Sequence, residues 1–407
     1  MLEHSPELFE IMFKFISVQG LMHISTSHCG PSMRTINAEV ENSSIPAIQS
    51  VCQASPNLTY LRLTFDDSNV YTDAMILTAV QYCPMIKVLP TQSWASTDTA
   101  LNALATIHTL TELHLLPSSC TSAAVHRVIQ SNRNLTLINV SVDNLDDALV
   151  RCIGDCCRNL RALSLYISSL PSITDSRLQD LFRGCPLLES FHLSQPGGVS
   201  NTALRALFEY CPHLTDVGFS GAMPATPPPA GEPVLHAHYP CLTKLTVREY
   251  GVADSALQSI LTHCTNLREV HIRECNHITD ETIKVLALQC TSLDIFKLTS
   301  CTNITIAGVL EVATHCTSLT KLALRYMPIS DEVLILLSLH CSGLTILSMV
   351  YCNGELITEA GILAVAEGCT SLTSLCIVGN LLMPLTPTLA LLSERQVYTH
   401  IKSVLFN

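Results

Sequence analysis

Leu267–Leu293 reads LREVHIRECNHITDETIKVLALQCTSL, and the fold follows from how that stretch is spaced. Leu267, Val270 and Ile272 form an LxxLxL pattern, and Val270 and Ile272 alternate as the buried side of a strand does. Cys275 closes the strand. Ile278-Thr279-Asp280 is a helix-start signal: Thr279 can cap the first turn, and Asp280 suits the positive end of a helix. Ile283, Leu286, Ala287 and Cys290 follow at i, i+3, i+4 and i+7, one apolar stripe facing inward. Thr291-Ser292 then turns the chain into the next leucine, Leu293. A single strand, turn and helix cannot bury their apolar faces alone, so the unit needs a copy on each side.

The chain supplies those copies. First anchors fall at Leu8, Met33, Leu58, Ile86, Leu110, Leu135, Leu160, Leu188, Leu214, Leu242, Leu267, Leu293, Leu319, Leu344, Leu372 and Ile401, spaced 24 to 29 residues apart. That spacing lies in the leucine-rich-repeat window, with room for a full helix per unit. The expected fold is α/β: a leucine-rich-repeat solenoid curved as a horseshoe, with a parallel sheet on the concave side and helices on the convex side. It is read as one solenoid over residues 1–407, of about 15–16 units. The helix-start signal recurs at Thr72-Asp73, Thr174-Asp175, Ala253-Asp254, Ser330-Asp331 and Thr358-Glu359, which keeps successive helices in register. One unit departs from the pattern. Five prolines between Pro224 and Pro233 forbid a regular helix, so residues 220–240 are expected as a helix-less, Pro-rich insertion.

Composition agrees with a solenoid. Hydrophobic residues make up 48% and charged residues 14% of the chain, against about 25% charged in ordinary domains. Each unit buries both a strand side and a helix stripe, which accounts for the excess. Of 19 cysteines, nine (Cys83, Cys157, Cys185, Cys211, Cys264, Cys290, Cys316, Cys341, Cys369) stand three residues before an anchor, and Cys275, Cys301 and Cys352 stand eight after one. Cysteines placed by a repeat read as small buried thiols of a reducing compartment, not as a disulfide framework. No apolar run approaches the ~18 residues of a membrane span. The N-terminal MLEHSPELFEIMFKF has no basic cluster ahead of its apolar part and makes a poor signal peptide. A cytoplasmic or nuclear protein is expected.

The unit C-[PT]-x-L-x-x-L-x-L-x-x-C-x-x-I-T-D, best seen at Cys264–Cys290, Cys290–Cys316 and Cys341–Cys369, resembles the cysteine-containing repeats of F-box/leucine-rich-repeat proteins, of ribonuclease-inhibitor-like fold. The resemblance covers nearly the whole chain, most clearly residues 135–380. It implies a repeat domain that presents substrates to an SCF-type E3 ubiquitin ligase, for ubiquitin-dependent protein degradation. In that family a separate F-box binds a Skp1-type adaptor. The residues before Leu8 are too few for an F-box, so adaptor binding is expected only where an F-box lies outside this chain. The rival reading is a stand-alone repeat scaffold or inhibitor with no ubiquitin role.

Strand alternation places the residues two, four and six after each anchor on the concave face. For anchors Leu242, Leu267, Leu293 and Leu319 these twelve positions include Lys244, Arg248, His271, Arg273, Lys297, Lys321 and Arg325. Six of the twelve are Lys or Arg, where 22 in 407 predicts fewer than one. The chain carries a net charge of −12, so this is a local basic patch on an acidic protein, with Glu249, Glu269 and Glu274 as partial neutralisers. It points to an anion-binding concave face, for a protein partner's acidic or phosphorylated segment or for a phosphate-bearing small molecule. The net charge disfavours nucleic acid. The sequence has no Gly-rich phosphate loop, nucleophile elbow or HExxH helix, so no enzyme activity and no cofactor are expected. His236, His238 and Cys241 have zinc-type side chains, but three in a Pro-rich loop lack the spacing of a structural site, and no metal is expected. Trp94, the single tryptophan, falls at a turn.

Overall fold

The computed structural model describes residues 10–17, 32–41, 45–65, 73–89, 97–118, 120–142, 146–167, 173–195, 199–221, 238–249, 251–352, 357–379 and 386–403. Trp94, His236 and most of the Pro-rich insertion, residues 222–237, lie outside them. The chain divides into two compact units, Met1–Leu193 and Ser194–Asn407.

In the first unit, β1 (Glu10–Ser17), β2 (Thr35–Glu41) and β3 (Tyr60–Phe65) pair in parallel in that order. Single parallel bridges through Val88 link Tyr60 to Glu112. β4 (Glu112–Ser118), β5 (Leu137–Val142), β6 (Ala162–Tyr166) and β7 (Ser190–Ser194) follow as neighbours. In the second unit, β8 (Asp216–Gly221), β9 (Lys244–Glu249), β10 (Glu269–Arg273), β11 (Ile295–Thr299), β12 (Lys321–Arg325), β13 (Ile346–Val350), β14 (Ser374–Gly379) and β15 (Tyr398–Ser403) lie side by side in sequence order. A helix follows each of β9 to β14, such as Asp254–His263, Asp280–Gln289, Ile306–His315 and Asp331–His340. This is an α/β leucine-rich-repeat solenoid.

The anchors from Met33 to Leu372 are all buried. So are Ile283, Leu286, Ala287 and Cys290, the helix stripe of the quoted stretch. Strands alternate accordingly. In β12, Leu322 and Leu324 are buried while Lys321 and Arg325 are exposed. One face of the sheet is therefore covered by helices, and the other is open.

Where a cysteine stands three residues before an anchor, it is the residue at which the helix stops. Cys290 donates its backbone N–H to Leu286 O at 2.9 Å, and Cys264, Cys316, Cys341 and Cys369 close their helices in the same way. All nine are buried free thiols. Their Sγ atoms approach the carbonyl one repeat earlier, as Cys341 does to Cys316 O at 3.4 Å and Cys185 to Cys157 O at 3.5 Å. Burial pushes the thiols of Cys290, Cys316 and Cys341 up to about 12, away from reactivity.

Thr358 caps its helix as expected, accepting from Ala360 N, but Thr174, Ser330 and Thr279 do not. Thr279 stands at the N-cap with extended backbone, but its side chain makes no capping bond. Its Oγ1 donates instead to Asp254 Oδ2 of the preceding repeat at 3.1 Å. The first helical aspartate generally reaches forward to the next repeat. Asp280 accepts from Thr305 N and Oγ1 at 2.8 and 2.6 Å, Asp331 from Thr358 N and Oγ1 at 2.8 and 2.6 Å, and Asp98 from Thr121 N and Oγ1, both at 2.7 Å. The Thr-Asp pair thus joins neighbouring repeats as well as starting its own helix. No described helix is long and apolar enough to cross a membrane.

Candidate functional site

The register of β9 to β12 turns the alternation of each strand into three rows across the open face. The first row is Lys244, Glu269, Ile295 and Lys321; the second Thr246, His271, Lys297 and Ala323; the third Arg248, Arg273, Thr299 and Arg325. Neighbours within a row are about 4.8 Å apart at the backbone. Between them point the buried Leu245, Val247, Val270, Ile272, Phe296, Leu298, Leu322 and Leu324, which fix the strands on the core. All seven residues read from the sequence as the patch therefore share one face of four consecutive strands. Arg248, Arg273, Lys297, Lys321 and Arg325 are exposed, and Lys244 and His271 are half-buried.

Their charges are not equally available. Lys244 Nζ lies 3.4 Å from Asp216 Oδ2, on the neighbouring β8. Arg273 Nε lies 2.8 Å from Glu274 Oε1. His271 Nε2 lies 2.8 Å from Glu269 Oε1. Burial, then the nearby Lys297, holds the His271 imidazole below its ordinary value, against the pull of Glu269. At neutral pH it is therefore uncharged. Arg248, Lys297, Lys321 and Arg325 stand in no ion pair among the described residues. The available charge is thus four cations. A bound carboxylate or phosphate would not have to break an internal ion pair at any of them, which is what favours net attraction over exchange.

An aromatic feature borders the patch. Just past β12 and β13, Tyr326 and Tyr351 stack with ring centroids 5.2 Å apart and planes 14° apart. The Arg325 guanidinium carbon lies 5.2 Å from the Tyr326 ring centre and 6.0 Å from that of Tyr351. Tyr326 is 51% exposed, which is high for so large a ring. The reading by twos, fours and sixes stops one residue short of these tyrosines. The signal that finds them is the recurrence of Tyr seven residues after Leu319 and Leu344.

A second cationic place lies on the helix side of the first unit. A cavity of about 380 Å³ between helices Asp147–Cys156 and Asp175–Gly184 is lined by Arg151, Arg158, Arg177 and Arg183 together with Asp155 and Asp180. Arg151 pairs with Asp155 at 3.6 Å and Arg177 with Asp180 at 3.1 Å, so much of this charge is already matched. Among the described residues no group of three His, Cys, Asp or Glu side chains is placed to hold a metal ion.

No protein-family model matches the chain, and no curated protein matches it. Solved structures do. The Rad7 and Elc1 complex of yeast matches at 15% identity and TM-score 0.47, over 86% of this chain and 79% of that one. The TLR13–ssRNA13 complex matches at 14% identity and TM-score 0.46, over 87% and 58%. The plant peptide hormone receptor RGFR1, solved in complex with RGF2, matches at 13% identity and TM-score 0.37, over 92% and 62%. The chain thus spans less than two thirds of the length of the latter two.

Proposed function

We propose that this chain is a protein-binding receptor that works by binding and presentation rather than by chemistry. The open face of β9 to β12 takes an acidic or phosphorylated segment of its partner. The observation that carries this reading is the set of four unpaired cations, Arg248, Lys297, Lys321 and Arg325, in register on one face of a chain with net charge −12. The sheet fixes the backbone positions of these guanidinium and ammonium groups, so the ordering cost of meeting a carboxylate or phosphate is confined to their side chains. The buried thiols support the non-catalytic side of the reading, since burial raises their pKa and removes them as nucleophiles.

The finer part of the proposal concerns what the receptor serves. The Cys-x-x-Leu and Ile-Thr-Asp signatures resemble those of F-box/leucine-rich-repeat proteins, and on that resemblance the chain is the substrate-recognition part of an SCF-type ubiquitin-ligase receptor. The test is affinity purification of the intact gene product from its own cells, beside a Lys297→Glu/Lys321→Glu/Arg325→Glu variant. All three side chains are exposed, so the substitutions should leave the fold standing. Recovery of Skp1- and cullin-type proteins with both forms, and loss of other partners from the variant alone, is the expected result. The same partners on both forms, with no ligase component, would make the chain a stand-alone scaffold that works through another surface.

A further inference from the structure

Tyr326 and Tyr351 occupy one position in successive repeats, and that position has an unusual backbone. Their φ angles are 53° and 52°, in the left-handed region that bulky side chains rarely enter. Glu249, Glu274 and Ser300, at the same place in the preceding repeats, have φ of 54°, 58° and 53°. The turn lets each N–H add a rung to the sheet beyond the strand end. Glu274 N donates to Thr299 O, Ser300 N to Arg325 O and Tyr326 N to Val350 O, at 2.8, 2.9 and 3.0 Å. Side chains at this position therefore form their own ladder along the strand ends, with rungs about 4.8 Å apart. The ring separation of 5.2 Å between Tyr326 and Tyr351 is that rung spacing. Along the ladder the residues read Glu249, Glu274, Ser300, Tyr326, Tyr351, acidic at one end and aromatic at the other.

Ser300 is the small rung beside the exposed ring. Beneath it, in the third row of the basic face, Thr299 is another small residue, flanked by Arg273 and Arg325. β11 thus offers a low place one rung wide and two residues long at the strand ends. It is bounded on one side by Tyr326 and Arg325, on the other by Glu274 and Arg273, with Lys297 two residues further down the strand.

We propose that this low place over Thr299 and Ser300 receives an aromatic side chain from an acidic protein segment. The incoming ring extends the Tyr351–Tyr326 stack by one rung above Ser300. Carboxylates on either side of it meet Arg325 and Lys297. This rests on the reading of β9 to β12 as the anion-binding face and names the residue type that sets register on it. An aromatic ring fits better than a branched aliphatic side chain because the rung spacing is close to a stacking distance, and the flanking guanidinium already lies against the ring pair. A protein segment fits better than a single-stranded nucleic acid. A protein segment can confine its carboxylates to the side of Arg325 and Lys297, whereas a phosphate at every nucleotide would continue along the ladder to Glu274 and Glu249.

The test is calorimetry on the full chain with two short synthetic peptides of alternating Asp and Glu, one with a central Phe and one with a central Leu, and with an oligothymidylate of equal charge. Wild type should prefer the Phe peptide by roughly three- to tenfold. Tyr326→Gly should abolish that preference, so that the Phe and Leu peptides bind the variant equally. Glycine suits the left-handed backbone, so the variant should fold at least as well as wild type, and its denaturation midpoint checks this. Equal affinity of wild type for the two peptides would overturn the aromatic inference and leave the anion-binding face intact. Failure of wild type to bind either peptide would overturn both. Stronger binding of the oligothymidylate than of the Phe peptide would overturn the choice of a protein occupant.

Discussion

His271 shows how a single residue on the open face can report on its ligand. Its imidazole is kept neutral first by burial and then by Lys297 and Lys244, with only Glu269 opposing them. A carboxylate-bearing segment laid over the second row would reverse that balance, because it adds negative charge where the two lysines add positive. The proton is then held more tightly in the complex than in the free protein, so binding takes up a proton. The sign follows. Affinity for an acidic peptide should be flat above pH ~7.5 and should rise as pH falls below the ordinary histidine value of 6.5. The peptide's own carboxylates, with pKa values near 4, stay ionised through that window. Titration calorimetry at pH 7.5 and pH 5.5 should show the gain in wild type and its loss in His271→Gln. If affinity fell with pH, His271 would not face the ligand.

Between residue and molecule lies the link from one repeat to the next, and there the Thr-Asp signal does more than start a helix. Asp98 accepts two hydrogen bonds from Thr121, and these bonds hold its carboxyl below the ordinary value of 3.8. A depressed folded-state pKa means that the aspartate stabilises the fold at pH above 3.8 and loses that contribution as pH falls through the lower folded value. Asp98→Ala should lower stability at pH 7 by about 1 kcal/mol, modest because the pair is exposed. The difference between variant and wild type should shrink towards pH 3. Urea midpoints at the two pH values, at unchanged slope, measure it; a difference that persists at pH 3 would assign the loss to something other than the charged acceptor. Much of this was legible beforehand. LxxLxL spacing, the stripe Ile283, Leu286, Ala287, Cys290 and the cysteine rows locate strands, helices and core, because burial imposes period on a chain. What stayed hidden is contact across the stack. Thr121 reaches Asp98 over 23 residues and Thr305 reaches Asp280 over 25, and only the stacking of repeats makes them neighbours. The same holds at the site. The seven cationic and histidine positions follow from alternation, but the pairing of Lys244 with Asp216 joins two repeats that the sequence presents 28 residues apart. The tyrosine stack depends on a left-handed residue that strand periodicity does not reach.

For the whole molecule the decisive contrast is between a net charge of −12 and a face carrying four unpaired cations. Which of the two an acidic ligand senses depends on how far the field extends. At about 0.01 M salt the screening length is about 30 Å, so the ligand meets the summed charge of the protein and is repelled. Near 0.1 M it is about 10 Å, and the ligand on the face senses chiefly the cations beside it. Near 1 M it is about 3 Å, and even those contacts are weakened. Affinity for an acidic peptide should therefore pass through a maximum near 0.1 M salt rather than fall steadily from the lowest concentration. Above the maximum it should drop by at least about tenfold towards 1 M, because no internal ion pair among Arg248, Lys297, Lys321 and Arg325 has to be broken first and their full attraction is exposed to screening. In the Lys297→Glu/Lys321→Glu/Arg325→Glu variant local and summed charge share a sign, so salt should only relieve repulsion and the weak residual affinity should rise throughout. A wild-type curve that is flat across the whole range would mean that charge does not hold the ligand, and the open face of β9 to β12 would cease to be the binding surface.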